Sequence, residues 1–113
     1  MKIDSAAHPT DLPLACDPLA IAADQRAGHE ALARDLFGRA VVEQRELPDG
    51  HAFRIDAADY ELAAAFVANE RRCCPFFHFQ LDLAPDAGPV WLRITGAAGA
   101  KEVLAAGLSE INC

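Results

Sequence analysis

The chain has 113 residues, a formal net charge of −7, and 52% hydrophobic against 24% charged residues. That length and balance specify one globular domain, residues 1–113, with a sizeable core, and exclude a disordered chain. The acidic balance excludes a nucleic-acid partner, which needs a basic footprint; charges interrupt every apolar run well short of bilayer length, and Met1-Lys2-Ile3-Asp4 leads into no export segment, so a cytoplasmic protein with no membrane span is expected.

In chain order, residues 1–15 carry two prolines and no hydrophobic period, and read as a loose N-terminal arm. Asp17-Pro18 reads as a helix start, with Asp as N-cap and proline at the first helical position. The helix is expected from Pro18 to Phe37, stopped by Gly38. Leu32, Ala33, Leu36 and Phe37 form its apolar stripe, and His29 lies one turn back on the same face. Residues 40–55 read as a hairpin in which Val41-Val42 and Phe53-Arg54-Ile55 flank the turn Leu47-Pro48-Asp49-Gly50. Asp56 is the expected cap of a second helix, whose inward stripe is Ala63, Phe66, Val67, Glu70 and Cys74, with Cys73 beside it. Arg71 and Arg72 complement the negative end of its dipole. Pro75 lacks an N–H and disfavours helical geometry before it, so this helix must end at or just before Cys74.

Beyond the proline, Phe77, Phe79, Leu81 and Leu83 alternate with His78, Gln80 and Asp82, the last three on a solvated face. Val90, Leu92 and Ile94 alternate with Trp91, Arg93 and Thr95, completing a second hairpin across residues 85–89. A third helix is expected from Ala97 to Leu108, followed by a tail ending in Cys113. The order α-ββ-α-ββ-α implies an α+β fold: a four-stranded antiparallel sheet with helices on one face. Phe66, Val67, Phe77, Phe79, Leu81, Leu92 and Ile94 are expected in one core. The first two helix–hairpin units match in length and in their Pro-Asp turns, the pattern of a degenerate internal duplication.

The chemistry concentrates at Glu70-Arg71-Arg72-Cys73-Cys74-Pro75. The chain has four cysteines; with two adjacent and no export segment, they are expected to be free thiols. Thiolates are ligands for soft ions such as Cu(I), Hg(II) and Zn(II). The Cys-x2–4-Cys spacing of structural zinc is absent. Neighbouring helical residues point about 100° apart, so Cys73 and Cys74 reach one ion only if the helix end unwinds. A third ligand is then needed, and Cys16 is best placed to supply it. It begins a helix expected to pack beside the second, with its sulfur within about 8 Å of the pair. Glu70, one turn back on the inward stripe, requires a partner, a proton or a cation. With His29 it is the candidate outer layer of the site. The competing readings are buried packing cysteines, a salt bridge for Glu70 and a hydrogen-bonded core histidine. Phe76, Phe77, Phe79 and Trp91 read as core or sheet-face packing, and the Phe rings also keep water from the thiols. No phosphate loop, His-Glu-x-x-His helix, nucleophile elbow or Cys-x-x-Cys pair is present.

Glu70-x-x-Cys73-Cys74-Pro75-Phe76-x-x-Phe79, followed by Gly88-Pro89-Val90-Trp91-Leu92-Arg93-Ile94-Thr95-Gly96, resembles a family of short, poorly characterised bacterial proteins associated with heavy-metal, particularly mercury, resistance settings. The resemblance extends back through Cys16, His29-Glu30-Ala31-Leu32 and Glu46-Leu47-Pro48-Asp49-Gly50, and so covers most of the chain. It implies Cys16, Cys73 and Cys74 as the matching positions and leaves out Cys113. The leading expectation is a cytoplasmic protein that binds a soft metal ion through cysteine thiolates, as scavenger or accessory factor rather than enzyme. A thiol-based redox or transfer enzyme, with a vicinal cysteine as nucleophile and Glu70 or His29 as base, is the alternative. An interaction module with structural cysteines is the third.

Overall fold

The computed structural model of the protein describes residues 14–111. Most of the expected N-terminal arm, and Cys113, lie outside them. The elements are helix α1 (Ala23–Asp35), strands β1 (Val41–Leu47) and β2 (Gly50–Ile55), helix α2 (Tyr60–Cys73), strands β3 (His78–Leu83) and β4 (Val90–Thr95), and helix α3 (Ala100–Ile111). The strands form one antiparallel sheet in the order β1-β2-β4-β3. Each helix–hairpin unit therefore supplies one central and one edge strand, and α1 packs against α2.

Alternation fixes which face is buried. Phe53 and Ile55 of β2 stand opposite Leu92 and Val90 of β4, and Leu81 stands beside Leu92 from β3. Onto this face the helices set Ala33, Leu36, Ala63, Phe66 and Leu104. Phe53, Leu36, Ile55, Leu92 and Ile94 are the largest fully buried side chains, each contributing about 1.5–3 kcal/mol by leaving water. Val67, Phe77, Phe79 and Leu81 pack around this core half-buried. The opposite face is polar: Arg54 pairs with Glu43 at 3.1 Å, and Arg45 lies 4.7 Å from the ring centre of Trp91. His78, on this polar face, is half-buried rather than solvated.

Several element ends differ from the sequence reading. The expected continuous helix from Pro18 to Phe37 is broken. A 3-10 turn at Pro18–Ala20 precedes α1, and Ala22 is extended (φ −54°, ψ 141°). The break lets Ile21 bury to 3% exposure, and that apolar gain outweighs uninterrupted helix. Asp17 does cap the 3-10 turn, its Oδ1 accepting the Leu19 N–H at 3.0 Å. Gly38 does not stop the chain's helical course, because a π-helical turn carries Leu36–Ala40 through it and buries Leu36 and Ala40. Asp56 makes no side-chain cap; a 3-10 turn at Ala57–Asp59 intervenes, and Asp59 is held instead by Arg39 at 3.0 Å. Helix α3 begins three residues late, after Gly99 turns the chain with φ +95°, a conformation that costs glycine little.

Candidate functional site

Helix α2 ends where Pro75 requires. Cys73 is its last residue, and Cys74 leaves helical geometry at φ −121°, ψ 75°. That unwinding turns the two adjacent side chains toward a common point. The segment before α1 reaches the same corner, because the Asp17 N–H donates to the Cys73 carbonyl at 2.6 Å. A helix end leaves carbonyls without intrahelical partners, and Asp17 satisfies this one while delivering Cys16. The sulfurs of Cys16, Cys73 and Cys74 all lie within 4.8 Å of one another, well inside the separation expected from sequence.

The expectation of free thiols fails for two of the three. Cys16 and Cys74 form a disulfide, with Cα atoms 4.4 Å apart and a sequence separation of 58, and Cys73 is the free cysteine among the described residues. The expectation rested on the reducing poise of a cytoplasm, whereas the fold holds these two Cα atoms at bonding separation. The three residues differ sharply in exposure: Cys16 is exposed, Cys73 half-buried, and Cys74 buried at 2%. Around Cys74, Phe76 and Ala100 form a small apolar cluster separate from the main core, with Phe77 packed against it.

Glu70 and His29 meet as the shared face of α1 and α2 implied. Glu70 Oε2 lies 2.7 Å from His29 Nε2. An ionised carboxylate only accepts, so the ring nitrogen facing it carries the proton. His29 stacks on Phe66 with ring centres 5.6 Å apart, and its Nδ1 is buried with no hydrogen-bond partner. The second carboxylate oxygen, Glu70 Oε1, lies 3.3 Å from Cys74 Sγ. A disulfide sulfur has no proton to give, so this contact becomes a hydrogen bond only when the bond is reduced and the Cys74 thiol donates. The Cys73 thiol is pushed above its ordinary range by burial, then by the Glu70 and Asp17 carboxylates, with the Asp17 backbone N–H opposing.

A cleft of about 410 Å³ opens over the three sulfurs. Its walls include Ile21, Arg26, Glu30 and Arg34 besides His29 and Glu70. The sequence reading missed Asp17 as the tether, although its place beside Cys16 is the visible signal. It also missed the arginines, which project from α1 at a spacing no thiol-site pattern specifies. Cys16, Cys73, Cys74, Glu70 and His29 are all brought together, and the cysteine group can hold a metal ion once the disulfide is opened. No helix among the described residues is long and apolar enough to cross a membrane. No family model, curated protein or solved structure matches this chain.

Proposed function

We propose that this protein binds a soft metal ion, Cu(I) or Hg(II), through the thiolates of Cys16, Cys73 and Cys74 in its reduced state. The observation that carries this reading is the mutual approach of the three sulfurs to within 4.8 Å. Three sulfurs bonded to one ion at Zn–S-like lengths of about 2.3 Å stand about 4 Å apart, so closing the site takes side-chain movement and no rearrangement of α2. Soft thiolates select soft ions. Three sulfur ligands suit an ion content with two or three, whereas structural zinc takes four. Glu70 receives the proton that Cys74 releases on binding, and His29 keeps its carboxylate oriented, the common division of labour behind a metal ligand. The Cys16–Cys74 bond makes binding conditional on reduction, which a cytoplasm supplies. A scavenger or accessory role follows, together with membership of the metal-resistance-associated family that the Glu70-to-Phe79 motif resembles.

The test is metal competition on phosphine-reduced protein. Cys16→Ser should weaken Cu(I) or Hg(II) affinity by more than the roughly 10–100-fold typical of losing an outer-layer partner, while Cys113→Ser leaves it unchanged. Equal affinity of Cys16→Ser and the parent overturns the reading.

A further inference from the structure

The Cys16–Cys74 bond has one sulfur on an exposed residue and one on a residue buried at 2%. Both half-cystines line the cleft of about 410 Å³, large enough for a small peptide-sized ligand, and Cys16 is the exposed residue of the two. Arg26 and Arg34 line this cleft together with Glu30, so its walls carry both signs of charge beside the disulfide. A structural disulfide is ordinarily shut away from thiols, and access together with the choice of sulfur attacked governs exchange.

We propose that the corner is a thiol–disulfide exchange site whose substrate is a zwitterionic low-molecular-weight thiol, an amino-acid or short-peptide thiol of the glutathione class. The incoming thiolate attacks Cys16 Sγ, the sulfur carried by the exposed residue of the pair. The Cys16–Cys74 bond breaks, its electron pair leaves with Cys74 Sγ, and that sulfur takes up a proton to become a thiol. Glu70 Oε1, 3.3 Å away, accepts the hydrogen bond of the new thiol and so holds the leaving sulfur in place. A second thiolate attacks the substrate sulfur of the mixed disulfide and expels Cys16 as thiolate, which is protonated in turn. The sum is two substrate thiols oxidised to one disulfide, two electrons delivered, and Cys16 and Cys74 left as thiols. Carboxylates and ammonium of the substrate meet the arginines and Glu30. The activity is independent of metal, since it needs two of the three sulfurs, and it would also open the soft-metal site.

The test uses the full chain in a Cys113→Ser background with a chelator present. Oxidised protein is mixed with reduced glutathione, quenched with an alkylating reagent and mapped by mass spectrometry. Opening of the bond in the native fold is expected, with the mixed disulfide on Cys16. Glutathione should act several-fold faster than 2-mercaptoethanol at equal thiolate concentration. Cys74→Ser should accumulate the Cys16 adduct with glutathione disulfide, while Cys16→Ser loses it; circular dichroism verifies that both are folded, and the parent carries the test if either is not. A bond that opens only on unfolding, or an adduct on Cys74, overturns the exchange site. Equal rates with the neutral thiol overturn the substrate class. Metal binding by phosphine-reduced protein is scored separately: exchange without binding sinks only the metal reading, and binding without exchange sinks only this one.

Discussion

The molecule makes the same joint twice, passing from helix to edge strand, and builds it in two ways. After α1 the π-helical turn buries Leu36 completely and Ala40 to 2%, and Phe37 meets Phe53 and Phe66 edge-on at 5.0 and 5.1 Å. Everything that joint turns inward is apolar, and it completes the main core. After α2 the joint turns inward Cys74 and Phe76, in a separate small cluster, and is fastened by a disulfide, a histidine–glutamate pair and the backbone hydrogen bond from Asp17 to Cys73. Buried polar groups cost free energy unless each finds a partner. Gathering them at one edge of the main core, where His29 stacks on Phe66, confines that cost, so the first joint serves stability and the second is available for chemistry.

The largest expected effect that tests this contrast comes from reducing the disulfide. It closes a loop of 58 residues, which in the chain-entropy account is worth about 4 kcal/mol. Chemical denaturation of oxidised against phosphine-reduced protein should show a loss of that order, with the reduced protein still folded through its main core. Global unfolding on reduction would break the division of labour. Next comes Leu36→Ala at the first joint, expected to cost about 3 kcal/mol through lost burial and a cavity, with thiol chemistry unchanged. A variant that alters Cys73 labelling as strongly as it alters stability would show the joints are not independent.

A smaller effect, about 2 kcal/mol, is expected for Glu70→Leu, because it strips His29 of its one hydrogen-bond partner among the described residues. The two hairpin turns extend the comparison to a fourth test. In the first, Gly50 is required by close approach: a Cβ there would fall on the Ile94 carbonyl oxygen. In the second, Asp86 and Ala87 take φ of +59° and +52°, where L-residues other than Asn or Asp are strained. Ala87→Gly should therefore raise stability by about 1 kcal/mol in the same denaturation assay.

Labelling kinetics give the finest discrimination. Burial and two carboxylates hold the Cys73 thiol above its ordinary range, so its thiolate fraction at pH 7 is smaller than that of a free thiol. Alkylation of native oxidised protein should be slow at neutral pH and accelerate only as the pH passes above the usual thiol range. Labelling at pH 7 as fast as a free cysteine would contradict the packing around Cys73.

Much of this was legible in the residues. Pro75 fixed the end of α2, and the strict alternations around Leu81 and Leu92 fixed the second hairpin and its inner face. His29 and Glu70 were legible as one inward face. What was not legible depended on tertiary context. Ile21 broke a helix whose local signals, Asp17 and Pro18, were both favourable, because a buried isoleucine outweighs a turn of propensity. Gly38 resembled a stop, yet the burial of Leu36 and Ala40 carried a π-turn across it. The pairing of Cys16 with Cys74 across 58 residues has no local signature, and compartment reasoning pointed away from it. The approach of Cys16 itself was legible only through the expected packing of its helix.

Counting the sulfurs around a bound ion tests the three-thiolate centre itself. Phosphine-reduced protein loaded with one equivalent of Hg(II) is measured by X-ray absorption at the mercury edge. Three sulfur neighbours are expected in the parent and two in Cys16→Ser. Two sulfurs in both proteins, or no retained mercury, would contradict a three-thiolate centre.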